Sequence, residues 1–116
     1  MKISLNNDEN LKELTNLFSD CYDLVVRKIK LNEQDLLIAY FDTLIEKEWL
    51  FDNVIRPITH SPTSDPETIE KRLVEVGSIK KIYTFTQVVE QLTMGDAVIF
   101  THSSDIALSL NLPGWK

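Results

Sequence analysis

Residues 36–41 read Leu36-Leu37-Ile38-Ala39-Tyr40-Phe41, six apolar side chains in succession with no glycine, proline or charge among them. A run of this length suits a strand better than a helix, and a strand sends alternate side chains to opposite faces. When every position is apolar, both faces must be covered, so this strand belongs inside a sheet with packed layers above and below it.

On the N-terminal side, Asn32-Glu33-Gln34-Asp35 reads as a turn. Before it, Tyr22 to Leu31 is rich in β-branched residues, with Val25, Ile29 and Leu31 on one face of a two-residue alternation. The two runs make a hairpin whose second strand is the interior one. Further back, Leu11, Leu14, Leu17 and Phe18 recur at helical spacing, with Asn6 and Glu9 placed as a capping box. Ser19-Asp20 breaks that pattern.

On the C-terminal side, Thr43 and Glu46 have capping-box spacing, which predicts a helix through Glu48, Trp49 and Leu50. Asp52-Asn53 is a point where it could split, and Pro57 should stop or kink it. His60 to Ser64 reads as a surface loop. Asp65-Pro66 opens another helix, with Ile69, Leu73 and Val76 on its apolar side and Gly77 at its end. A strand over Ile79–Tyr83 follows. Thr84 and Gln87 then cap a helix whose stripe is Phe85, Val88, Val89 and Leu92, ending at Gly95. Last come strands over Ala97–Thr101 and Ile106–Leu110, joined by His102-Ser103-Ser104-Asp105. Hairpins impose antiparallel pairs and helical crossovers permit parallel ones. The expected fold is therefore α/β (α+β): a mixed sheet of about five strands, including two hairpins, packed against about four helices in one domain over residues 1–116.

The chain has 116 residues, 43% of them hydrophobic, and a formal net charge of −6. Its short basic clusters, Arg27-Lys28 with Lys30 and Lys80-Lys81, do not form the stripe that phosphate backbones require, so nucleic acid is not an expected partner. One cysteine, Cys21, allows no intrachain disulfide; lying between Asp20 and Asp23, it reads as an inert thiol. No run approaches the roughly 20 apolar residues that span a bilayer.

A zinc site needs imidazoles and thiolates at usable spacing, whereas His60 and His102 sit in separate loops. The three glycines, Gly77, Gly95 and Gly114, fall singly and make no phosphate cradle. His102, Ser103, Ser104 and Asp105 are too close in one turn to act as a triad. Asp42 and Asp96 border apolar strands and invite a paired-carboxylate reading, but each suits a turn or cap better. Trp49 and Trp115 read as core or interface. No catalytic, cofactor-binding or metal-binding set is expected, and no cofactor. The candidate contact residues are the polar groups at strand ends: Asp42, Thr43, Asp96 and His102.

Asp42-Thr43-Leu44-Ile45, followed by Glu48, Leu50, Val54, Ile55, Pro57 and Ile58, resembles the A subunit of GerA-type spore germination receptors. So do Met94-Gly95-Asp96-Ala97-Val98-Ile99-Phe100, Pro113-Gly114-Trp115-Lys116 and the strand from Cys21 to Leu31. Thr43 stands where the family usually has glycine, Met94 where it has serine, and Lys116 where it has an acid. The resemblance implies a non-enzymatic module at the start of the A subunit's soluble N-terminal region. Its partners would be the rest of that subunit and the other receptor subunits, in the spore inner membrane and on the spore-core side, with the membrane reached only through the parent chain. An alternative it leaves open is a domain that itself binds small nutrient germinants.

Overall fold

The apolar run lies inside a five-stranded sheet in a computed structural model that describes residues 1–31, 34–59, 69, 71, 78–102 and 104–111. Helix α1 (Asn7–Leu17) leads into strands β1 (Leu24–Leu31) and β2 (Gln34–Phe41). A helical stretch follows, made of α2 (Lys47–Leu50), a π-helical turn (Phe51–Ile55) and α3 (Arg56–Thr59). Then come β3 (Ser78–Ile82), α4 (Phe85–Thr93), β4 (Ala97–Phe100) and β5 (Ala107–Asn111). The strand order is β1-β2-β4-β5-β3.

Every pairing among these strands is antiparallel, so the parallel component expected of a mixed sheet is absent from the described strands. The crossovers allow either direction; the strand order, which no local pattern encodes, makes each neighbour run opposite. With the stretch from Lys47 to Thr59 taken as one, three helical segments are described in full, one fewer than the four expected. Of the helix predicted from Asp65 to Gly77, only Ile69 and Lys71 are described, and both are helical. His60, Gly114 and Trp115 fall outside the described residues.

Alternation along the strands divides the core in two. On one face, Leu36, Ile38, Tyr40, Ile99, Leu108 and Leu110 pack under Leu50, Val54, Ile55, Ile58 and Ile69, with Trp49 partly buried beside them. On the other, Leu37, Ala39, Phe41, Val98 and Phe100 pack against Leu14 and Phe18 of the N-terminal helix and Phe85, Val88 and Leu92 of α4. Phe18 meets Phe41 edge-on at 5.4 Å, and Phe85 stacks on Phe100 at 5.8 Å. All of Leu36–Phe41 is buried, as its uninterrupted apolarity predicts.

Several local expectations shift. Gln34 already pairs with Leu31, so the hairpin loop is two residues and not four. Asn6 caps α1 by accepting from the Asp8 N–H, while the Glu9 carboxylate accepts from the Ser4 hydroxyl, which itself accepts the Asn6 N–H. The box becomes a three-residue relay. Glu46, not Thr43, caps α2, accepting from the Glu48 N–H at 2.9 Å. The helix also runs through Pro57 to Thr59. The Arg56 N–H reaches the Phe51 carbonyl five residues back, widening the helix just where proline removes a donor and crowds the preceding turn. The box at Thr84 and Gln87 forms as predicted.

Candidate functional site

Sheet register decides which polar residues meet. Leu37 pairs with Phe100 and Ala39 with Val98. The same offset carries Phe41 opposite Asp96 at one end of β2 and Asp35 opposite His102 at the other. Asp42, Thr43 and Asp96 thus gather at one end of the sheet. His102 lies at the other, about 23 Å away at a strand rise near 3.3 Å per residue.

At the first end, Cys21, Tyr22, Asp23, Phe41, Thr43, Leu44 and Thr93 line a recess of about 480 Å³. The Asp42 N–H donates to the Asp23 carbonyl at 2.9 Å, continuing the β1–β2 ladder one pair further. The Thr43 hydroxyl donates to the Asp23 carboxylate at 2.9 Å. Released from capping, Thr43 instead ties the chain leaving β2 to the chain entering β1. Asp42 pairs with Lys47 at 3.3 Å across the turn. Phe41 forms an apolar floor, whereas Tyr22 is 99% exposed and Leu44 and Met94 are also exposed. Gly95, at φ +95, turns α4 back into β4, and its Cα side lies against Leu44.

Asp96 is buried at the same end of the sheet. The Ser109 hydroxyl on the neighbouring strand donates to its carboxylate at 2.9 Å, and its N–H donates to the Gln91 carbonyl at 3.0 Å. Burial raises its carboxyl above the ordinary value; the Ser109 hydrogen bond and the Lys80 charge oppose that without cancelling it. Asp42 and Asp96 therefore have separate partners and separate environments, one ion-paired and half-exposed, the other buried on a hydroxyl.

At the opposite end, Leu5, Asn6, Asn7, Asp8, Asp35 and His102 line a more polar recess of about 380 Å³. Lys28 on β1 reaches Asp35 at 3.5 Å and Asp8 at 3.6 Å. The buried Asn7 amide donates to the Asp35 and Phe100 carbonyls at 3.3 and 3.4 Å, fastening α1 to β2 and β4. Burial would raise the Asp35 carboxyl, but the His102 ring and the Lys28 ammonium outweigh it and hold this group below its usual value.

Sequence reasoning selected His102 without its partner Asp35, and Thr43 without Tyr22, Asp23 or Leu44. Asp35 lay within the predicted turn, and only pairing to β4 reveals it. Tyr22 carried a signal of a kind, a large aromatic before the first strand, but its exposure is a tertiary property. Cys21 is exposed. Among the described residues, no three His, Cys, Asp or Glu side chains are grouped to hold a metal ion, and no helix is long and apolar enough to cross a membrane.

Residues 12–116 match the family described as Bacillus/Clostridium GerA spore germination protein. The uncharacterized membrane protein YfkQ of Bacillus subtilis (strain 168) is 29% identical over 116 residues, covering 97% of this chain and 23% of the relative. Spore germination protein KA of the same organism is 24% identical over 119 residues, covering 97% of the chain and 22% of that protein. In fold, the chain is similar to the crystal structure of the N-terminal domain of the A subunit of the Bacillus megaterium spore germinant receptor GerK3. That match has a TM-score of 0.86 at 17% identity and covers 98% of this chain and 49% of the other. The chain thus spans under a quarter of the length of the curated relatives it matches.

Proposed function

The chain belongs to the Bacillus/Clostridium GerA spore germination protein family, and from that premise we propose that it is a non-enzymatic contact module of a nutrient germinant receptor. In this reading it forms the first part of the A subunit's soluble region and passes the germinant signal through contacts with the rest of that subunit and with other receptor subunits. Membrane association, at the spore inner membrane with this module on the core side, comes through the parent chain.

The observation that carries the reading is Tyr22, 99% exposed at the mouth of a recess floored by Phe41 and lined by Leu44. A phenol ring left wholly in water contributes little to folding, whereas aromatic side chains beside apolar recesses are the usual anchors of protein interfaces. Thr43 lines the same recess, and the strand register puts Asp42 and Asp96 at the same end of the sheet, so three of the four contact candidates fall there.

Tyr22→Ser and Leu44→Asp, made singly in the parent A subunit, test this. Each should leave the melting temperature of the 116-residue chain nearly unchanged. Each should weaken its co-purification with the other receptor parts about tenfold or more and slow nutrient-triggered germination at equal receptor levels. Unchanged association and germination in both variants would refute the reading. A second reading, direct binding of a small nutrient, draws on the volume of the same recess, which falls within the range of small-molecule sites. Titration of a nutrient panel followed by amide shifts at Tyr22, Thr43 and Leu44 separates the two: saturable shifts favour the second.

A further inference from the structure

At the opposite end of the sheet, His102 meets Asp35 twice through one atom. Its Nδ1 lies 3.3 Å from the Asp35 backbone nitrogen and 3.3 Å from Asp35 Oδ1. With the Asp35 carboxylate ionised, no single protonation state of the ring makes both of these hydrogen bonds. A backbone N–H only donates, so it needs a bare lone pair on Nδ1; an ionised carboxylate only accepts, so it needs a proton there.

The surroundings hold both partners within reach. Asn7 pins the Asp35 and Phe100 carbonyls, so the two strands stay in register whichever contact is made. Lys28, from β1, engages the other carboxylate oxygen, Asp35 Oδ2, leaving Oδ1 for the ring. The charged groups facing the imidazole are therefore Asp35 from β2, Lys28 from β1 and, through Lys28, Asp8 from α1. In the turn that carries His102, the Ser104 hydroxyl accepts from the Ile106 N–H and is already engaged.

We propose that His102 is a proton-operated switch at this end of the sheet, accepting from the Asp35 N–H when neutral and donating to the Asp35 carboxylate when protonated. In the neutral state the proton sits on Nε2, and the cluster sets two carboxylates against one ammonium. In the protonated state two cations face two carboxylates, and the Asp35 N–H loses its acceptor. The cluster of Asp8, Lys28, Asp35 and His102 thereby changes from net negative to balanced when the ring takes up a proton, and the lining of the 380 Å³ recess becomes less negative by one charge. The switch is independent of what the Tyr22 end of the molecule contacts.

An NMR pH titration of the 15N-labelled 116-residue chain tests it. Long-range proton–nitrogen correlations report which ring nitrogen of His102 carries the proton, and amide spectra follow Asp35. The neutral ring should be protonated on Nε2, and the Asp35 amide proton should move upfield with the same midpoint as His102. His102→Gln should abolish that amide titration while the other amides keep their positions. His60, the second histidine, gives its own curve for comparison. A neutral His102 protonated on Nδ1, or an Asp35 amide that does not follow the His102 midpoint, overturns the proposal; both are read on the unmodified chain, so the test stands if the variant fails to fold.

Discussion

Asp96 is the residue whose environment most nearly works against the fold. It is only 7% exposed, and its described side-chain hydrogen bond comes from the Ser109 hydroxyl. Because burial raises its carboxyl above the unfolded value, folding favours the protonated form. The associated stabilisation is complete below about pH 4, the unfolded value, and is lost as the pH rises through the higher folded value. At neutral pH the ionised group therefore weighs against the native state. Asp96→Asn keeps an acceptor for Ser109 and removes the charge. It should gain up to about 1 kcal/mol at pH 7 in urea unfolding, and the gain should shrink toward pH 4. Ser109→Ala should cost about 1–2 kcal/mol, because it leaves a buried carboxylate without that donor. A loss of stability in Asp96→Asn at pH 7 would show that the charge is used rather than tolerated.

At the scale of elements, α4 has the most complete local instructions and should respond most predictably. Thr84 and Gln87 close its first turn reciprocally, with the Gln87 N–H to Thr84 hydroxyl bond at 3.2 Å. Thr84→Ala should cost about 1 kcal/mol. At the other end, a Cβ on Gly95 would meet Leu44 Cβ at 3.8 Å, an ordinary contact. The cost of Gly95→Ala is thus purely conformational, about 1 kcal/mol for a side chain held at φ +95. Thermal unfolding of both variants checks the pair; near-additive losses are expected, since the caps share no partner. The stretch from Lys47 to Thr59 shows the converse. Its π-helical turn lets Leu50, Val54, Ile55 and Ile58 all reach the sheet across a proline that local rules place at a helix end.

For the whole molecule, both cores rest on the same interior strands. Ile99 faces the Lys47–Thr59 layer, and Val98 and Phe100 face the layer of α1 and α4. Damage on either side of β4 should therefore melt the entire structure in one transition. Ile99→Ala should lower stability by about 3 kcal/mol, with circular dichroism and tryptophan fluorescence melting together. Divergent transitions would mean that the two layers unfold separately. The same architecture separates the polar sites: antiparallel pairing sends Asp42 and Asp96 to one end and Asp35 and His102 to the other.

How much of this could be read in the chain depended on the range of the interaction. The apolar run Leu36–Phe41, the Thr84–Gln87 box and the glycine at position 95 act through residues within a few positions, so the interior strand, α4 and its stop are legible locally. The cap expected at Thr43 does not form because its hydroxyl can either accept a backbone N–H or donate to a carboxylate, and Asp23, twenty residues away, supplies the carboxylate. Strand order, the antiparallel direction of the β2–β4 and β3–β5 pairs and the meeting of Asp35 with His102 across 67 residues were decided by packing alone. Periodicity states which face of an element is apolar, but not which neighbour covers it. That choice is made by burying both faces of β2 and β4 at once, a condition on the assembled molecule and not on any segment of it.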